Sequence, residues 1–308
     1  MQEAGLLSGM LAQSSVTSDQ MTMRNILLAT DFSSCSARAL DYALGIASRY
    51  QSQLYFFHSI NPAPYNMAER PDAIQTTCDD ARNELEQLVS DLRRDGRINN
   101  VEIKVMVEAG DPSAILQQAV KDLDLDLIVV GTHGRTGWRK LVLGSVAERI
   151  VDQVSCPVLC VGPSADRTRI QQFGPQNILV ASEDSMRCRL AESYASSLAH
   201  KYHSGLTAID VLENRSGRVL ARVSQFGWYD PAVGDTDLGA AEAKPLRLPT
   251  EIGTQSDLIL RVADRTAADL IVLAVPETHR FTDRFLSSNS YYRVLCGAAC
   301  PVLTVHAG

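Results

Sequence analysis

The sequence predicts an α/β fold built as two tandem, mainly parallel open sheets, one in each half of the chain. Two observations carry this expectation. The chain repeats itself in order. Arg24-Asn25-Ile26-Leu27-Leu28-Ala29-Thr30-Asp31 resembles Gln176-Asn177-Ile178-Leu179-Val180-Ala181-Ser182-Glu183; Asp126-Leu127-Ile128-Val129 recurs as Asp269-Leu270-Ile271-Val272; Cys156-Pro157-Val158-Leu159 recurs as Cys300-Pro301-Val302-Leu303. Within each copy, short runs rich in Val, Ile and Leu alternate with stretches of helical spacing. That alternation fits strands buried on both faces and joined by right-handed crossovers.

The elements of the first copy follow in order. The apolar runs are Ile26–Ala29, Leu54–Ile60, Val101–Val107, Leu127–Val130 and Val158–Val161. Between the first two, Leu40, Ala43, Leu44 and Ala47 share one helical face, behind Ser33 or Ser34 as N-cap. Asp111-Pro112 opens another helix, with an acidic cap and proline at the first position. Gly144-Ser145 opens the last, with Val146, Ile150, Val151 and Val154 as its expected inner face. The division is then a mobile leader at 1–23, a first domain at 24–163, a linker at 164–175 and a second domain at 176–308. The linker lies in a stretch, Gly162 to Pro175, rich in Gly, Pro and polar residues.

Composition narrows the function classes. The 308 residues are 45% hydrophobic and 21% charged, ordinary for a globular protein. A net charge of −7 argues against wholesale nucleic-acid binding. No run approaches the roughly 20 apolar residues that cross a bilayer. The first 23 residues lack a basic start and a long apolar core, so a secretory signal is not expected. Seven scattered cysteines, an odd number, read as reduced thiols in a cytoplasmic protein. The pairs Cys156/Cys160 and Cys296/Cys300 are read as small buried residues in preference to a metal site.

The segment Gly131-Thr132-His133-Gly134-Arg135-Thr136-Gly137-Trp138-Arg139-Lys140-Leu141-Val142-Leu143-Gly144-Ser145 carries the chemistry. It leaves a strand end and enters a helix. Gly131 and Gly134 let backbone N–H groups approach a ligand, and Gly144-Ser145 offers amides at a helix N-terminus, a ready anion site. Arg135, Arg139 and Lys140 add positive charge. A helix N-terminus contributes about 0.3–1 kcal/mol, whereas micromolar affinity needs about 8 kcal/mol. Phosphate contacts alone fall short, so an apolar pocket for a base must contribute. The competing reading is that the glycines only turn the chain. The segment matches neither the P-loop nor G-x-G-x-x-G.

Gly131-x-x-Gly134, nine residues, then Gly144-Ser145 resembles the nucleotide loop of the ATP-binding branch of the universal stress protein family. Ile26 to Asp31, His58, the Gly110-Asp111-Pro112 turn and Cys156-Pro157-Val158-Leu159 resemble that family too. The resemblance implies Rossmann-like, adenine nucleotide alpha hydrolase-like sheets of five strands each, paired through their last strands as a pseudo-dimer. It also implies an ATP site. Asp31, with Ala29 and Thr30 before it, would meet the adenosine end, and Ser59 would offer backbone groups to the adenine. Val130 would pack near ribose and base. Gly131, Thr132, His133, Gly134 and Arg135 would wrap the phosphates from one side, and Gly144, Ser145 and Val146 from the helix start. A Mg²⁺ ion can accompany them. Asp31 could instead cap the first helix, and His58 reads as a structural histidine.

The second copy departs from this pattern. Its equivalent stretch begins Ala274-Val275-Pro276-Glu277-Thr278-His279-Arg280 and ends near Ser288-Asn289, without a glycine. Glu183 stands for Asp31, and Glu213 to Lys244 replaces a helical pattern with Gly-, Asp- and Ala-rich sequence, read as loop. The second copy is therefore expected to bind no ATP in the same manner. The function expected is an ATP-binding stress-response or signalling protein with an unidentified protein partner and room for homo-oligomers. A slow ATP hydrolase and a nucleotide-free scaffold are the alternatives.

Overall fold

The computed structural model describes residues 22–61, 71–98, 100–133, 143–165, 174–182, 188–213, 219–226, 254–276 and 289–307. The first half contains β1 (Asn25–Ala29), α1 (Ser34–Tyr50), β2 (Gln53–Ile60), α2 (Pro71–Arg94), β3 (Glu102–Ala109), α3 (Pro112–Asp122), β4 (Leu127–Gly131), α4 (Ser145–Gln153) and β5 (Val158–Val161). The second contains β6 (Asn177–Ser182), α5 (Cys188–Tyr202), β7 (Gly205–Glu213), β8 (Val219–Phe226), α6 (Gln255–Arg265), β9 (Leu270–Pro276), α7 (Asn289–Gly297) and β10 (Val302–Ala307). Most of the leader and the linker lie outside the described residues. Met23, at the leader's end, is buried in the core.

The two five-stranded units join into one ten-stranded sheet of order β3-β2-β1-β4-β5-β10-β9-β6-β7-β8. The join is antiparallel: Cys160 faces Val302, Leu159 faces Leu303 and Val158 faces Thr304. Leu159 and Leu303 are equivalent in the repeat, so a pseudo-twofold axis passes through their pairing. The union gives each apolar last strand a partner and removes an edge that would invite aggregation. Alternate residues serve opposite faces. Ile26 and Leu28 pack toward α1, α2 and α5, and Leu27 and Ala29 toward α3, α4, α6 and α7.

The repeated motifs have visible tasks. Asp126 accepts from the backbone N–H groups of Arg24 and Asn25, at 2.6 and 2.9 Å; Asp269 does the same for Gln176 and Asn177. Each aspartate ties the start of one central strand to the start of its neighbour. Ser33, not Ser34, caps α1 by accepting from the Ser36 amide, and Asp111 caps α3 as predicted.

Two expectations need correction. Val146 lies outward, 39% exposed, and Ala147 takes its place inside with Ile150, Val151 and Val154. Positions 147, 150, 151 and 154 follow the i, i+3, i+4, i+7 spacing of one helical face, which 146 leaves. Second, part of the 213–244 segment is a strand. β8 pairs antiparallel with β7, whereas in the first half β2 reaches β3 by a parallel crossover through α2. Residues 214–218 and 227–244 of that segment lie outside the described residues.

Candidate functional site

The sheet order places β1 between β2 and β4. The chain winds outward from β1 to β2 and β3, then returns to lay β4 on the other side of β1. Ligands of open α/β sheets bind beyond the carboxyl ends of the strands at such a reversal. Ala29 is level with Val130 across the β1–β4 pair and with Phe57 across β1–β2. Thr30 and Asp31, Ser59, and Gly131, Thr132 and His133 therefore lie at one end of the sheet.

The turn after β1 is tightly organised. The Thr30 amide donates to Phe57 O at 2.9 Å, and Thr30 Oγ1 accepts from the Phe32 amide at 3.1 Å. Phe32 takes a left-handed conformation, φ +62°, uncommon for a residue with a side chain. Asp31 Oδ1 accepts from the Ser33 amide at 3.0 Å, so it forms a local turn and leaves the capping of α1 to Ser33. His58 is structural in its contacts: Nδ1 lies 2.8 Å from Thr30 O, to which it donates, and its ring lies 4.8 Å from that of Phe32.

The glycine-rich stretch is gathered at its two ends. The Gly144 amide donates to Thr132 O at 2.8 Å, which brings the start of α4 against the residues that follow β4. The Thr132 amide donates to Val161 O, and the Ser33 hydroxyl donates to His133 O at 3.3 Å. The heads of α1 and α4 and the end of β4 are thereby tied together. Thr132 is fully buried and His133 is 8% exposed. Thr132 Oγ1 lies 2.9 Å from His133 Nδ1, while His133 Nε2 is buried with no partner among the described residues. An orphaned imidazole nitrogen is costly unless something completes it.

Gly131 serves a purpose that spacing did not show. A Cβ there would lie 2.8 Å from the Cys35 carbonyl carbon and 2.9 Å from the Ser36 nitrogen. Its missing side chain lets the first turn of α1 lie against the end of β4. Gly134 and Arg135 lie outside the described residues, as do Trp138, Arg139 and Lys140. Gly144 is the N-cap of α4, and Ser145 and Val146 are exposed at its start. Arg149, one turn on, pairs with Asp111 at the head of α3. The Ser113 hydroxyl, then the Ala114 amide and Arg149, hold the Asp111 carboxyl below its ordinary range. This link between α3 and α4 was not foreseen; no sequence spacing marks it.

The family model for the universal stress protein family matches residues 22–162 and again 175–306. The chain belongs to the universal stress protein family. Both halves are family domains in tandem. Universal stress protein MJ0531 of Methanocaldococcus jannaschii is 27% identical over 138 residues, covering 45% of this chain and 81% of its own. Among solved structures, a universal stress protein from Archaeoglobus fulgidus aligns over 94% of this chain and 98% of its own, at 21% identity and TM-score 0.66. A functionally unknown protein from Pseudomonas aeruginosa PAO1 aligns over 94% of both, at 17% identity and TM-score 0.59. These likenesses establish the tandem fold. Among the described residues, no helix is long and apolar enough to cross a membrane.

Proposed function

We propose that the first half of this universal stress protein binds ATP at the carboxyl ends of β1 and β4, and that occupancy alters the surface a protein partner reads. The adenosine end lies beside Asp31 and Ser59, with Val130 beneath the ribose. The phosphates lie between Gly131 to Arg135 on one side and Gly144, Ser145 and Val146 on the other. One observation carries this reading: the Gly144 amide bonds to Thr132 O, so a helix N-terminus meets the end of β4 at the sheet's switch point. The buried, unpartnered His133 Nε2 supports it, because a phosphate oxygen or a bridging water completes that atom. Among the described residues no group of three His, Cys, Asp or Glu side chains is placed to hold a metal. In this reading a Mg²⁺ ion is carried by the phosphates.

A ligand shifts a conformational equilibrium only through differential affinity for its states. Here the states are those of the 131–145 segment. The test is calorimetric titration of the whole chain with ATP and AMP, alongside a Ser145→Ala variant. ATP binding that weakens in the variant is the expected result. No heat and no shift in melting temperature at saturating ATP would overturn the proposal.

A further inference from the structure

The interface between the halves is two-fold in its strand join and in one set of ring contacts. Arg49 lies over the Tyr202 ring at 5.8 Å, and the equivalent Lys201 lies over the Tyr50 ring at 5.0 Å. Tyr50 and Tyr202 meet edge to face, and β5 and β10 pair symmetrically about Leu159 and Leu303. Side-chain hydrogen bonds break the symmetry: Arg49 donates to Lys201 O at 2.9 Å and Thr304 Oγ1 to Val158 O at 3.2 Å, and three more run from the second half to α4. The hydroxyls of Tyr291 and Tyr292 on α7 both donate to Asp152 Oδ1 on α4, at 2.8 and 2.7 Å. His306 Nε2, on β10, lies 2.7 Å from Val151 O. That carbonyl is among the last four of α4, which have no acceptor role within the helix, so the ring N–H caps it.

The reciprocal contacts are absent by residue type. Aligning Cys156-Pro157 with Cys300-Pro301 sets Ala147 and Glu148 opposite Tyr291 and Tyr292, Cys296 opposite Asp152, and Gly162 opposite His306. The first half offers no phenol or imidazole at these positions to hold α7. The helix that is held is α4, whose other end is the Gly144-Ser145 head of the candidate site.

We propose that the second half of this chain supplies positioning residues for the nucleotide site of the first, with Tyr291, Tyr292 and His306 clamping the foot of α4 so that its head is fixed. The inference rests on the ATP reading above and gives the second half a task other than binding nucleotide. α4 spans only Ser145–Gln153, about two and a half turns, so a displacement at Asp152 moves the amides at Ser145 and Val146 with it. By linkage, nucleotide bound at the head stabilises the clamp by the same factor that the clamp raises affinity.

The test compares two pairs of substitutions in the full chain. Tyr291→Phe with Tyr292→Phe removes the two hydroxyls and keeps the rings. Arg49→Met with Lys201→Met loosens the interface where these two cations lie over the tyrosine rings, away from α4. The readouts are ATP affinity by calorimetry and ATP-induced hydrogen-exchange protection of the amides of residues 145–147. The expected result is roughly tenfold weaker binding with reduced protection in the phenylalanine pair, within the usual 5–150-fold range of coupling between sites. The methionine pair binds as the wild type does. Unchanged affinity in the phenylalanine pair, or equal losses in both pairs, overturns the clamp. A wild-type chain that binds no ATP instead overturns the reading of the site. Should the phenylalanine pair fail to fold, His306→Ala replaces it: loss of its separate contact on Val151 weakens ATP binding if the clamp operates, and unchanged affinity overturns the clamp.

Discussion

The two halves of the chain use the same sheet order and the same strand-tying aspartates, yet diverge where β4 and β9 end. In the first half, β4 stops at Gly131 and the chain turns away through Thr132 and His133. In the second, β9 runs on through Ala274 and Val275 to Pro276, still paired along β10 as far as Ala307. The strand that continues offers no turn at the switch point, and its final residue has no N–H to give. Under the proposed function, the fold is duplicated while its ligand chemistry is kept in one copy. The other copy retains the sheet and the shared interface, which depend on apolar pattern and tolerate changes at strand ends.

The largest effect that sharpens this contrast is at Gly131. Gly131→Ala puts a methyl against the α1 backbone at under 3 Å, and neither Cys35 C nor Ser36 N can rotate away. We expect about 1–3 kcal/mol of destabilisation in urea unfolding, the range for overpacking. The equivalent position already carries Ala274, so Ala274→Gly should change stability by under about 1 kcal/mol, the intrinsic cost of glycine. Equal effects at both positions would remove the structural distinction between the halves.

A smaller effect compares the caps of α3 and α6. Asp111 caps α3 and pairs with Arg149; Thr254 caps α6 in a capping box with Asp257, which pairs with Arg293. The two devices differ in which residue carries the charge. Hydrogen bonds, led by Ser113 at Asp111 and by Thr254 at Asp257, hold both carboxyls below their ordinary 3.8. A depressed carboxyl contributes stability above its unfolded pKa and loses it as pH falls through the folded value. Asp111→Ala should cost about 1 kcal/mol at neutral pH, the usual worth of an N-cap. That difference from wild type should shrink as pH falls below the ordinary carboxylate range. Denaturant melts at several pH values check it, and a pH-independent difference would contradict the charge-based account.

Much of this architecture was legible in the residues. The apolar runs of the first half became β1, β2, β4 and β5 because largely buried strands need apolar residues on both faces, and the run broken by Glu102 and Lys104 became the half-exposed edge strand β3. Asp111-Pro112 announced α3 because proline sacrifices no bond at a first helical position. The pairing of the two halves through their last strands is what the family resemblance implies, and the join gives each of those apolar strands a second neighbour. What stayed hidden depends on tertiary contact. Gly131 read as a ligand-approach glycine because spacing cannot show a helix backbone lying against it. β8 escaped because its antiparallel pairing with β7 replaces a crossover whose absence leaves no positive signal. Val146 lies one position off the inner face, which Ala147 occupies, and apolar character alone does not separate the two. Asp152 is far in sequence from Tyr291 and Tyr292, as Val151 is from His306, so these contacts form only across the interface.

In the proposed function one half of the chain, and not the other, grips a nucleotide. The most direct measurement is the number of ATP molecules bound per chain at saturation, by calorimetry with nucleotide-stripped protein. One per chain is expected, with binding weakened by Ser145→Ala and untouched by changes at Pro276. Two per chain, or a single site unaffected by Ser145→Ala, would contradict that function.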